Sequence, residues 1–113
     1  MSYTLIYYPG CSNCRNGLAV LQEKGVEPTL RLYMKDPLST DELKQIAAQM
    51  GGVSPRAFLR EKNAKEIGLS DTASDEDVFT AMSQNPKIIQ RPIGICNGKA
   101  VLGRPNEALL DIL

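Results

Sequence analysis

The stretch YYPGCSNCRNGL (residues 7–18) sets two cysteines three positions apart, Cys11 and Cys14, between a strand-like run and a helical one. Ahead of it, YTLIYY (3–8) is rich in β-branched and aromatic residues and stops at Pro9-Gly10, which predicts a short buried strand. Behind it the pattern turns helical from Arg15. Leu18, Val20 and Leu21 form an apolar face, and Gly25 after Lys24 is a C-terminal stop. PTLRLYM (28–34) then alternates apolar and polar residues as a second strand. Strand, helix, strand is the opening of an α/β fold with a parallel pair.

Further along, Ser39 and Glu42 form a capping box ahead of DELKQIAAQMGG, which Gly51-Gly52 ends. Ser54 before Pro55 predicts one helix through RAFLREKN, and Ser74 with Asp77 starts another that Asn85-Pro86 terminates. PIGIC and KAVLG flank Asn97-Gly98, a strong hairpin signal. Pro105 opens a last helix, PNEALLDIL. The order predicts a single domain over residues 1–113 with a thioredoxin-like (glutaredoxin-like) α/β fold. A helical insertion occupies about residues 38–86 after the second strand, and a β-hairpin plus helix closes the chain. The loop carrying Cys11 then falls at the carboxyl end of the sheet, where such folds place their sites.

Composition narrows the function. At 113 residues, 42% hydrophobic and 23% charged, the chain has the make-up of one globular domain. Lys+Arg and Asp+Glu balance at 13 each, which gives no bulk field for nucleic acid or an anionic membrane. No run approaches the ~20 apolar residues of a membrane helix. MSYTLIYYPG lacks the charged region and cleavage site of a secretory signal. A cytoplasmic protein is expected, and a monomer, since no apolar stripe is left over.

The cysteine pair admits three readings: a disulfide staple, a metal half-site or a reactive thiol. Three cysteines make an odd number for a disulfide framework, and cytosolic thiols stay reduced. A structural zinc site needs about four Cys or His ligands; the chain has no histidine and one further cysteine, Cys96, read as buried at the end of an apolar strand. A reactive thiol is the reading left. At a helix N-terminus or in a Cys-x-x-Cys pair, a thiol pKa drops from ~8.5 to roughly 3.5–7.5. Cys11, in the loop, is the expected nucleophile, and Cys14 turns partly inward. Arg91 before Pro92, a candidate cis-proline, and Arg104 before Pro105 flank the hairpin at ends that a short loop can bring near Cys11. Arg60 lies in the insertion. Three guanidinium groups around a thiolate suit a tetrahedral oxyanion. Arg15 and Arg56 are read as surface charges.

These segments resemble the ArsC family, the glutaredoxin-coupled arsenate reductases and their relatives. The resemblance lies in PGCSNCRNGL, EPTLRLY, LSTDEL, RAFLREKN, NPKIIQRPI and GRPNEALLDIL. It implies Cys11 as the arsenate-attacking cysteine, Arg60, Arg91 and Arg104 as the anion-binding arginines, and Pro92 as the cis-proline. Glutathione is the implied electron donor, with no bound cofactor, and glutaredoxin the protein that resolves the mixed disulfide. Two departures stand out. Tyr7 and Tyr8 occupy the places of the family's His-Asn pair, and Cys14 replaces a usual serine, which makes it a candidate resolving thiol. Two alternatives stay open: a thiol oxidoreductase with another substrate, and an Spx-like regulator that binds RNA polymerase through a Cys11–Cys14 switch. Arg104 favours the reductases, because the anion site is incomplete without it.

Overall fold

The structure, a computed structural model, describes residues 2–113. β1 (Tyr3–Tyr7) leads through the Cys11 loop into α1 (Ser12–Glu23) and back to β2 (Thr29–Leu32). Three helices follow, α2 (Thr40–Gln49), α3 (Glu61–Glu66) and α4 (Asp75–Gln84), before β3 (Ile93–Cys96) and β4 (Lys99–Leu102). The sheet order is β2-β1-β3-β4, with β1 and β2 parallel and the other neighbours antiparallel.

β1 is central, and its alternation divides the core in two. Ile6 points into one cluster with Leu43, Ile46 and Ala47 of α2 and Val78, Phe79 and Met82 of α4. Tyr3, Leu5 and Tyr7 point into the other, with Cys14 and Leu21 of α1, Cys96, Leu109 and Ile112. The insertion therefore covers one face of the sheet, and α1 with the C-terminal segment covers the other. No helix among the described residues is long and apolar enough to cross a membrane.

Most local signals act as expected. Ser39 Oγ accepts from Glu42 N at 3.1 Å while Glu42 Oε1 accepts from Ser39 N at 3.0 Å, closing the capping box. Ser74 Oγ caps α4 through Asp77 N, and Asn97 and Gly98 take φ of 55° and 73° in the hairpin turn. Four boundaries differ. α1 begins at Ser12 rather than Arg15, so Cys11 is its N-cap residue. β2 is shorter than residues 28–34 because it is an edge strand, paired on one side only and mostly exposed. RAFLREKN is not one helix but a 3₁₀ turn over Pro55–Phe58 and then α3. Between them, Gln90 N donates to Phe58 O at 2.8 Å and Arg60 N to Ile88 O at 2.7 Å; this short antiparallel bridge takes up backbone groups that a continuous helix would use. The last segment is a 3₁₀ helix over Asn106–Ile112, with Pro105 as its cap rather than its first residue.

Candidate active site

The end of β1 delivers the chain to α1 through a tight loop in which Cys11 N donates to Tyr8 O at 3.1 Å. As N-cap residue, with φ −102° and ψ 123°, Cys11 makes no side-chain cap hydrogen bond, and its sulfur lies near the Cys14 backbone N–H of the first helical turn. Burial pushes the thiol up. The Cys14 backbone N–H, the Arg91 guanidinium and the Cys14 thiol outweigh it, and the pKa falls to about 7. Cys14, at the third helical position, is fully buried. Burial, joined by the charge of Cys11, pushes its thiol up to about 11. Of the two facing thiols, Cys11 therefore holds the negative charge and Cys14 the proton.

Arg91 reaches the pair from the other side of the sheet's carboxyl end, just before the cis peptide Arg91-Pro92. The Tyr8 ring centre lies 5.5 Å from its guanidinium carbon, a cation–π distance. Its Nε and Nη1 are buried without a hydrogen-bond partner among the described residues. Arg104 joins the same corner through the main chain, its Nε donating to Arg91 O at 3.0 Å. The Arg104-Pro105 bond is also cis. Asn106 Nδ2 donates to Asn13 O at 3.2 Å and to Gly103 O at 3.0 Å, tying the post-hairpin loop to the start of α1. That approach is close: a Cβ on Gly17 would stand 2.9 Å from Leu109 Cδ1 and 3.1 Å from Pro92 Cγ.

Arg60 is placed differently. It occupies the N-cap position of α3 without a side-chain cap bond, and its Nη1 donates to Lys87 O at 3.3 Å, just past the insertion. The structure thus brings together Cys11, Cys14, Arg91 and Pro92, sets Arg104 against the Arg91 backbone, and gives Arg60 a separate partner. Arg15 secures the loop by donating to Pro9 O at 2.7 Å, and Arg56 pairs with Glu61 at 3.0 Å. Cys96 is buried at the far end of β3, opposite Tyr3.

Two further side chains belong to the corner. Tyr8 was noted in the sequence only as a departure from a family pattern, yet its ring stacks on Arg91. Tyr33 follows β2 in the same alternation phase as Thr29 and Arg31, so nothing in the sequence shows that it is buried or that it meets Arg91. A cleft of about 150 Å³ lined by Tyr7, Tyr8, Pro9, Leu32, Met34 and Lys35 opens beside the loop. The larger cleft of about 260 Å³, between β1, β3 and α2, contains none of these groups.

A mixed four-stranded sheet with a cysteine capping the helix after its first strand, and a cis-proline entering its third, defines a thioredoxin-like thiol protein. The ArsC family matches over residues 6–112. The uncharacterized protein YfgD of Escherichia coli (strain K12) is 41% identical, over 96% of this chain and 94% of its own. An arsenate reductase of Haemophilus influenzae is 37% identical over the whole of both chains. The solved arsenate reductase from Vibrio cholerae superposes with a TM-score of 0.93 at 40% identity, covering 100% of this chain and 98% of that one. The chain belongs to the ArsC family.

Proposed function

We propose that this protein reduces arsenate to arsenite, with the Cys11 thiolate as nucleophile and glutathione and glutaredoxin as electron source. The observation that carries the reading is the placement of Cys11 at the N-cap position of α1 beside the Arg91 guanidinium, which favours its thiolate. A thiolate so placed can attack an oxyanion whose negative oxygens would otherwise repel it, because the guanidinium offsets the approaching charge. Sulfur displaces one arsenate oxygen, which leaves as water, and an S–As(V) adduct forms. A glutathione thiol then bonds to the Cys11 sulfur as the S–As bond breaks, its electron pair staying on arsenic, which leaves as arsenite. Glutaredoxin with a second glutathione reduces the resulting Cys11–glutathione disulfide, giving glutathione disulfide and free Cys11. Arg91 and Arg104 are the arginines already at the corner. Arg60 would join by giving up its exposed bond to Lys87 O, a contact worth ~0.5–1.5 kcal/mol.

The test is arsenate-dependent NADPH consumption with glutathione, glutaredoxin and glutathione reductase, using Cys11→Ser as the blank. Turnover in the wild type and none in the variant is the expected result; equal rates in both would refute the assignment. The facing Cys11 and Cys14 thiols favour a second reading, an oxidoreductase of other substrate or a transcriptional switch that closes a Cys11–Cys14 disulfide. That reading gains if the protein ignores arsenate while mild oxidant removes two thiols from the count, and retention of RNA polymerase by the oxidised form alone would then assign the switch.

A further inference from the structure

Tyr33 is fully buried, and its hydroxyl has no hydrogen-bond partner among the described residues. The group it faces is Arg91, whose Nε and Nη1 are buried and unpartnered as well. The Tyr33 hydroxyl and the Arg91 guanidinium are thus buried neighbours in a place where unpaired polar groups are costly. A phenylalanine would fill the same space without the buried hydroxyl, so packing alone gives no reason for a tyrosine. What the corner does contain is an anion, the Cys11 sulfur, within reach of Arg91.

We propose that Tyr33 is a positioning residue of the thiol site: its buried hydroxyl, together with the Tyr8 ring, holds the Arg91 guanidinium against Cys11 and so keeps that sulfur ionised. The inference rests on Cys11 as the nucleophile and not on arsenate as the substrate. Without the hydroxyl, the buried Arg91 donors face only apolar groups and sulfur, and the guanidinium is drawn outward towards water. The chain has no histidine that could stabilise the thiolate instead. The titratable groups around Tyr33 are Arg91, Cys11 and Cys14. Arg15 and Arg104, exposed nearby, are engaged by the Pro9 and Arg91 carbonyls. Burial pushes Tyr33 itself up to about 12, so it stays protonated while Cys11 titrates.

The experiment is the pH dependence of iodoacetamide alkylation at Cys11, located by peptide mass, for wild type, Tyr33→Phe, Arg91→Ala and the double variant. Tyr33→Phe moves the midpoint up by about half to one pH unit. In the Arg91→Ala background the same change adds no further shift, because the hydroxyl acts through the guanidinium. An unmoved midpoint in Tyr33→Phe, or an equal shift with Arg91 absent, would each overturn the proposal. Alkylation needs no arsenate, so a protein inactive on arsenate that passes this test refutes the substrate and leaves the role of Tyr33 standing.

Discussion

Cys11 ionises near neutrality although it is partly buried, and burial alone would move it the other way. The excess comes from one helix N–H, one guanidinium and one neighbouring thiol, each worth little in water and more in this half-enclosed corner. Alkylation of Cys11 should therefore rise with pH and reach half its limit near pH 7, and Arg91→Ala should carry the midpoint towards the ordinary thiol value of ~8.5. The sign follows from the anion: losing a cation disfavours the thiolate. Cys14→Ser should keep most of the arsenate-dependent turnover, since a serine hydroxyl still donates to the thiolate and glutathione does the resolving. Near-total loss of turnover in Cys14→Ser would instead show that Cys14 attacks the Cys11 adduct. The CxxC spacing made both thiols legible in the sequence. Their places in the loop and on the helix also pointed to Cys11 as the nucleophile, whereas the complete burial of Cys14 depends on how the sheet and helix pack.

Among the elements, α2 shows how one residue can serve two ends. Glu42 completes the capping box and also receives Arg31 Nη1 at 2.7 Å, anchoring the helix to β2. Its carboxyl lies below the usual range, first through the Arg31 hydrogen bond and then through the Ser39 N–H. A depressed carboxyl contributes stability at neutral pH and loses it as pH falls through the folded value. Glu42→Gln keeps the cap but not the charge. It should cost only about 0.5 kcal/mol at pH 7, because both partners are part-exposed and screened, and the difference should vanish in urea titrations once the pH falls below the lowered folded carboxyl value. The Ser-x-x-Glu pattern announced the cap, whereas the ion pair joins residues 31 and 42 across a turn. The break in RAFLREKN was hidden for a similar reason: its helical spacing is sound, and a bridge to Ile89 some thirty residues away overrides it.

At the scale of the whole molecule, the last helical segment is fastened to the first strand. Tyr3 Oη donates to Leu109 O at 2.7 Å in the core. Tyr3→Phe strands that carbonyl and should cost ~1–2 kcal/mol in urea denaturation. The sequence by itself determined the order of elements, the parallel opening pair, the hairpin at Asn97-Gly98 and Cys11 as the more exposed thiol of the pair. Each of these is written in local periodicity, capping residues or turn chemistry within a few positions. Only the tertiary structure decided that Arg91 rather than Arg60 stands against Cys11, that Cys14 is sealed beneath it, and that Tyr8 and Tyr33 take part. Those contacts join the ends of β1, β2 and β3, which are distant in sequence. The physical reason is that a side chain's surroundings are set by the packing of the sheet and its two layers, which no short window of sequence contains.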